Sequence, residues 1–397
     1  MGTIDHDAVL RARLLLLASG RPERDQLVDA YRTLVEVNPK AYAPLLVDAL
    51  LSTTGRDTEV RLASAVEAVE AGRRIEVGAP AREERLRRAL NAYQRALFAL
   101  GRRAEGRAVC EELAEEGWSA RLANVLAEEG RFREAAELNE KAARNGMSEQ
   151  SLSSGIEWAA NLEGAGLHDT ASEVFREVID VARRLADEQR TSPAVPTWAL
   201  VHHSRMREAA GHPAEAAAAR RDALTVLEQL ASTGGSTGGG HLTAWVTLFV
   251  LSGRSDEPAA SAESPMPPFG TALGWSGDTR DAFIGALPGL EAEAAAHREA
   301  GRLPELVDTR RRIGIRLAAR HGDRHYRFVE RFEPHFDEAV ELARRLPDDP
   351  ARLARALTDR SMFLVAAGTF GPAYADFAEA VTLLDGRWSE PGRESPA

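Results

Sequence analysis

One spacing recurs along this chain and limits what it can fold into. A small residue is followed seven positions later by glycine, and five positions after that by a second small residue. It reads Ala123–Gly130–Ala135, Ala159–Gly166–Ala171, Ser204–Gly211–Ala216 and Ser361–Gly368–Ala373. Ala294–Gly301 carries its first half. Each glycine fits a helix end, because it adopts the left-handed cap at no steric cost. The small residues on either side fit two helices in close approach. A unit repeating at about 29 to 50 residues predicts an all-α solenoid of antiparallel helix pairs. Such folds work through a surface rather than a catalytic triad.

The repeat also divides the chain. Residues 1–80 read as degenerate helical pairs broken near Gly20, Asn38-Pro39 and Gly55, and 81–231 as the main repeat block. Residues 232–279 read as a flexible insert rich in Gly, Ser and Pro, with one short helix at Leu242–Leu251. Helical pairs resume over 280–385, and 386–397 reads as a disordered tail.

Composition agrees with a helical, folded chain: 44% of residues are hydrophobic, 28% charged and only 6% aromatic. The net charge of −11 argues against nucleic-acid binding. Lys40 and Lys141 are the only lysines, so almost every cation is an arginine, the residue suited to bidentate carboxylate contacts. The single cysteine, Cys110, rules out a disulfide framework and predicts a buried thiol. Residues 1–20 do not read as a signal peptide, and no apolar run is long enough to span a bilayer. A soluble, cytoplasmic protein with no membrane partner is expected.

Leu122, Ala123, Gly130, Phe132, Ala135 and Ala142 resemble the tetratricopeptide repeat in its pattern of large, small, turn, aromatic, small and small positions. The units at Gly166, Gly211 and Gly368 match well, and those at Gly20, Gly55, Gly101 and Gly301 match in part. Asn38-Pro39-Lys40-Ala41-Tyr42-Ala43-Pro44-Leu45 also looks like the longer-period repeats of actinobacterial signalling proteins. The resemblance implies a right-handed superhelix whose first helices line a concave, peptide-binding groove. Offsets from each glycine place Arg88, Asn91, Arg95 and Phe98 on that face, then Arg121, Asn124 and Glu128, then Trp198, His202, Arg205 and Glu208. Arginine and asparagine on one face can hold a carboxylate and a backbone amide. A protein or peptide partner that is acidic, or ends in a free carboxylate, is expected at Arg88, Asn91, Arg95, Arg121, Asn124, Trp198, His202 and Arg205. The same side chains on solvated helices would instead make i,i+4 pairs.

Catalytic patterns are missing. There is no phosphate-binding loop, no Gly-x-Ser-x-Gly and no His-Glu-x-x-His, so no catalytic residue, metal site or cofactor is assigned. His321, His325 and His335, with Glu330, leave open a helical enzyme with a site there. Trp118, Trp158, Trp198 and Trp245 suit packing between units, whereas Trp275 in the insert suits either packing or docking. The leading expectation is a non-catalytic scaffold or sensor. A peptide-responsive transcriptional regulator is the alternative, although residues 1–80 hold no basic recognition helix.

Overall fold

A computed structural model describes residues 5–17, 20, 22–52, 57–143, 152–233, 242–267, 274–321 and 328–386. The fold is all-α, with no strand among the described residues. The chain clusters into two compact units. Met1–Leu122 with Ser276–Asp278 form the first, and Ala123–Trp275 with Thr279–Ala397 the second.

The glycine rule has a physical counterpart. Gly101, Gly130, Gly166, Gly211, Gly301 and Gly368 all have φ between 68° and 80°. Each closes its helix with the same two hydrogen bonds. At Gly130, the glycine N–H donates to Ala127 O and the Arg131 N–H to Leu126 O; at Gly368 the acceptors are Val365 and Leu364. This double bond satisfies two of the carbonyls left open at a helix end. Gly117 makes the same cap without having been singled out in the sequence. At Gly20 the boundary is described only from Pro22 onward. There the chain enters the next helix through an extended Glu23, which forms a reciprocal capping box with Gln26. Gly55 lies outside the described residues.

The small residues are where the helices touch. Ala123, Ala135, Ala159, Ala171, Ala216, Ala294, Ser361 and Ala373 are all completely buried. The Ser361 hydroxyl donates to Ala373 O at 2.6 Å, an approach a larger side chain would prevent. In the unit at Gly301 the second position holds Leu306, yet it too is buried.

The first unit comprises α1 (His6–Leu17), α2 (Arg24–Val35), α3 (Pro39–Leu51), α4 (Thr58–Arg73), α5 (Arg82–Ala99), α6 (Arg103–Glu115) and the start of α7 (Ala120–Glu128). Asn38 caps α3 through the Ala41 N–H, and Asp57 caps α4 through Glu59. From α1 to α6 each helix packs on its sequence neighbours, and α3 also meets α5. Val35, Val47, Val69, Leu90 and Leu97 fill this core. Cys110 is buried, as expected.

The second unit continues with α8 (Phe132–Ala143), α9 (Leu152–Gly164), α10 (His168–Asp187), α11 (Ala194–Ala209), α12 (Pro213–Thr233) and α13 (Leu242–Ser252). It ends with α14 (Gly277–Gly285), whose first residues belong to the first unit, then α15 (Leu287–Glu299), α16 (Leu303–His321), α17 (Phe328–Arg344), α18 (Pro350–Ala366) and α19 (Phe370–Asp385). Neighbouring helices pair here too, but α12 also packs on α19, and α11 on α18. The region read as a flexible insert behaves differently from that reading. Its helix α13 packs against α11, α16 and α18. Trp245 and Phe249 stack at 5.2 Å, and Trp245 meets Phe336 and Phe363 edge-on. A helix apolar on all faces gains most from complete burial. Residues 257–267 follow without regular structure, tied down where the Met266 N–H donates to Glu128 O at 2.9 Å. Trp275 is buried edge-on against Phe283, so it packs rather than docks. Residues 234–241 and 268–273 of the insert, and the tail from 387, lie outside the described residues.

Candidate partner-binding cleft

In the first unit the sequence-predicted residues do not form one continuous patch. Arg88 is exposed and pairs with Asp48 of α3 at 2.9 Å, beside Arg85 on the same carboxylate. Asn91 turns back on its own helix, donating to Arg87 O. Arg95 is exposed. Phe98 is completely buried, beneath the guanidiniums of Arg103 and Arg121, each 5.2 Å from its ring. Arg121 also donates to Gln94 and, at 2.6 Å, to Ser276. It is therefore committed to internal contacts.

In the second unit the predicted face is covered. Asn124 is half-buried, with its carbonyl oxygen enclosed and unpartnered. Glu128 is completely buried and accepts from Thr279. Trp198 is 2% exposed and its indole N–H donates to Met362 O. His202 is buried against Phe175, and burial lowers its imidazole to about 3. The placement of Trp198 and His202 on an open groove is corrected: α13 and α18 occupy the face that a simple stack would leave open. The small offset from glycine identified the face; what covers it depended on chain closure.

Arg205 is the exception. It donates to Asp359 at 2.6 Å and borders a cleft of about 440 Å³. The cleft is lined by Arg205, Arg220, Arg311, Arg352 and Arg355, against two carboxylates, Glu208 and Asp349. Their counter-ions sit mostly behind them. Asp359 lies between Arg205 and Arg311, Asp256 between Arg311 and Arg355, and Asp308 between Arg352 and Arg355. Arg220 is held by Glu208 and Asp385. Burial would raise the Asp359 carboxyl, but the charges of Arg311 and Arg205 outweigh it and hold it below the usual carboxylate range. A guanidinium carries five donors; Arg205 has one carboxylate partner and the other four arginines two each, so a ligand in front would use the N–H groups these leave.

Arg355 and Asp359 had a usable signal. They stand thirteen and nine residues before Gly368, as Trp198 and His202 stand before Gly211. Arg220 and Arg311 had none, since their helices reach the cleft only through long-range packing; Arg352 shares α18 with Arg355 but stands at none of the offsets used.

Among the described residues no group of three His, Cys, Asp or Glu side chains is close enough to hold an ion. His325 lies outside the described residues, and Glu330 is exposed. His335 borders a small apolar pocket with Phe249 and Phe336, where burial and Arg310 lower its imidazole. No described helix is long and apolar enough to cross a membrane. No family model matches this chain, and no curated protein is found to be related to it.

Proposed function

We propose that this chain is a non-catalytic, cytoplasmic partner-binding protein, a scaffold or sensor of tetratricopeptide-like build whose helix pairs follow a right-handed superhelix. Its partner is an acidic protein segment or peptide, and the arginine-lined cleft of the second unit receives it. The observation that carries this reading is the convergence of five guanidiniums on one cleft of about 440 Å³. Charge-assisted, bidentate contacts to carboxylates are the strongest use of such a set. Arg205 belongs both to this set and to the residues that the repeat spacing selects.

The test is fluorescence anisotropy of the full chain with labelled octaglutamate and octalysine peptides. Octaglutamate should bind, weaken with added salt and outcompete octalysine. Arg355→Gln and Arg352→Gln should each weaken it about tenfold, the size of one lost charge-assisted contact. Their melting temperatures should stay near that of the parent. Equal binding of the two peptides, or unchanged binding by both variants, would remove the cleft from the function.

A further inference from the structure

A second cavity, of about 180 Å³, shares no residue with the arginine cleft. Phe132, Val250, Met266, Phe283 and Ile315 give it apolar walls. One cation lines it, Arg254, at the turn after α13. The segment 257–267 closes one side. Ala260 O sits so near Gly130 that a Cβ there would fall 2.4 Å from it, and Met266 is tied to Glu128 O.

Arg254 is in an unusual state for a buried guanidinium. One amino group, Nη1, donates to Ala160 O at 2.9 Å. The other, Nη2, is buried with no hydrogen-bond partner. Its guanidinium lies 4.3 Å over the Phe132 ring, which holds it in place without neutralising it. No carboxylate stands within ion-pair distance among the described residues; Glu163 acts on it only from farther away. The other charged group in the wall, Glu257, is already held by Arg316 at 2.7 Å and by Arg312. Burial lowers the Arg254 guanidinium to about 10, with Glu163 opposing, so it remains charged at neutral pH. Elsewhere in this unit buried arginines have carboxylates: Arg220 has two, Arg311 two and Arg316 one.

A buried charge without a counter-ion is costly, and an anion entering the cavity would relieve that cost. The walls select what else the anion carries, since each methylene placed against them leaves water. At about 180 Å³ the space is below the roughly 300–1,000 Å³ of sites for drug-sized ligands. We propose that this cavity binds a small aliphatic monocarboxylate, with its carboxylate beside the Arg254 guanidinium and its chain against Phe283, Ile315 and Met266. The site rests on Arg254 and these walls and does not depend on the arginine-lined cleft.

The test is calorimetric titration of the full chain with hexanoate, hexan-1-ol and hexylamine. Hexanoate should bind about tenfold or more tightly than the alcohol, the discrimination expected of one charge-assisted hydrogen bond. Hexylamine should not bind. Arg254→Leu should abolish the preference for hexanoate over the alcohol, and Arg254→Lys should keep part of it. Equal affinity for acid and alcohol would overturn the proposal on the parent protein alone, whether or not Arg254→Leu folds. Binding confined to a peptide with a free apolar C-terminus, with none of hexanoate, would also overturn it and assign the cavity to a chain terminus. Octaglutamate should leave the hexanoate isotherm unchanged; competition between them would contradict two separate sites.

Discussion

The two units apply the same local rules to different ends. In the first, helices pack on their sequence neighbours, with α3 reaching α5 one step further. Most of its ion pairs lie on the surface, as in Arg32–Glu67 and Arg73–Glu112, with Arg103–Asp278 the more enclosed exception. In the second, α18 and α19 meet α11 and α12, and α13 fills the space among α11, α16 and α18. Its arginines are drawn inward, with Arg220, Arg311 and Arg316 nearly inaccessible. Stacking alone makes a core between successive helices. Closure makes a second core and brings together charges that are remote in sequence.

The sharpest way to break this contrast is to remove the side chain at the centre of the closure. Trp245 is 1% exposed and touches Phe249, Phe336 and Phe363. Trp245→Ala should cost about 3–5 kcal/mol, measured by chemical denaturation followed by circular dichroism. A cost below about 1 kcal/mol would return α13 to the status of a tether on the surface.

Next in size is the charge network. Asp359→Ala leaves Arg205 without its carboxylate and Arg311 with Asp256 alone. Removing one partner of a buried pair costs about 3–5 kcal/mol, and the remaining Asp256 places this case near 3. Glu67→Ala in the first unit removes the partner of an exposed Arg32 and should cost no more than about 1 kcal/mol. Equal losses in the two variants would show that the second unit's network is as solvent-screened as the first unit's.

The same contrast explains what could be read from the sequence. The caps at Gly101, Gly130, Gly166, Gly211, Gly301 and Gly368, and the contacts of Ala123, Ala159 and Ser361, are local, so spacing alone identified them. The apolar run of α13 was visible, but its flanking Gly, Ser and Pro made it read as a tether, and no local rule says which helices will enclose it. Trp198 and His202 were placed on the right helix face and the wrong side of the protein surface for the same reason. In the cleft, Arg205 and the Arg355–Asp359 pair follow the glycine offset, whereas Arg220 and Arg311 come from helices that only tertiary closure brings near.

A smaller effect separates the units by pH. The shifted groups of the first unit are mostly members of exposed ion pairs, such as Lys40–Glu76 and Arg102–Glu105. The second unit encloses Glu157 on α9, where burial raises the carboxyl to about 7. Between its ordinary value of 4.5 and 7 the folded chain holds this proton more tightly than the unfolded chain, so Glu157 favours folding as pH falls. His202 and His203, lowered by burial to about 3 and about 4, act oppositely: the unfolded chain gains their protons first below 6.5, and stability is lost as pH falls. A difference measurement isolates the carboxylate. Glu157→Gln removes a buried charge at pH 8, where it should stabilise by about 1–2 kcal/mol, the full shift being discounted because the residue is only half-buried. The gain should shrink through pH 7 and be nearly gone by about pH 4.5, where the parent carboxyl is protonated in the folded chain and half protonated in the unfolded one. The variant should then lose stability more steeply than the parent between pH 6.5 and 4.5, because the two histidines act without opposition from Glu157. Thermal melts of both proteins from pH 8 to pH 4.5 decide it. A constant difference across that range would mean that Glu157 keeps the acidity of an exposed carboxylate, and that closure of the second unit does not reach α9.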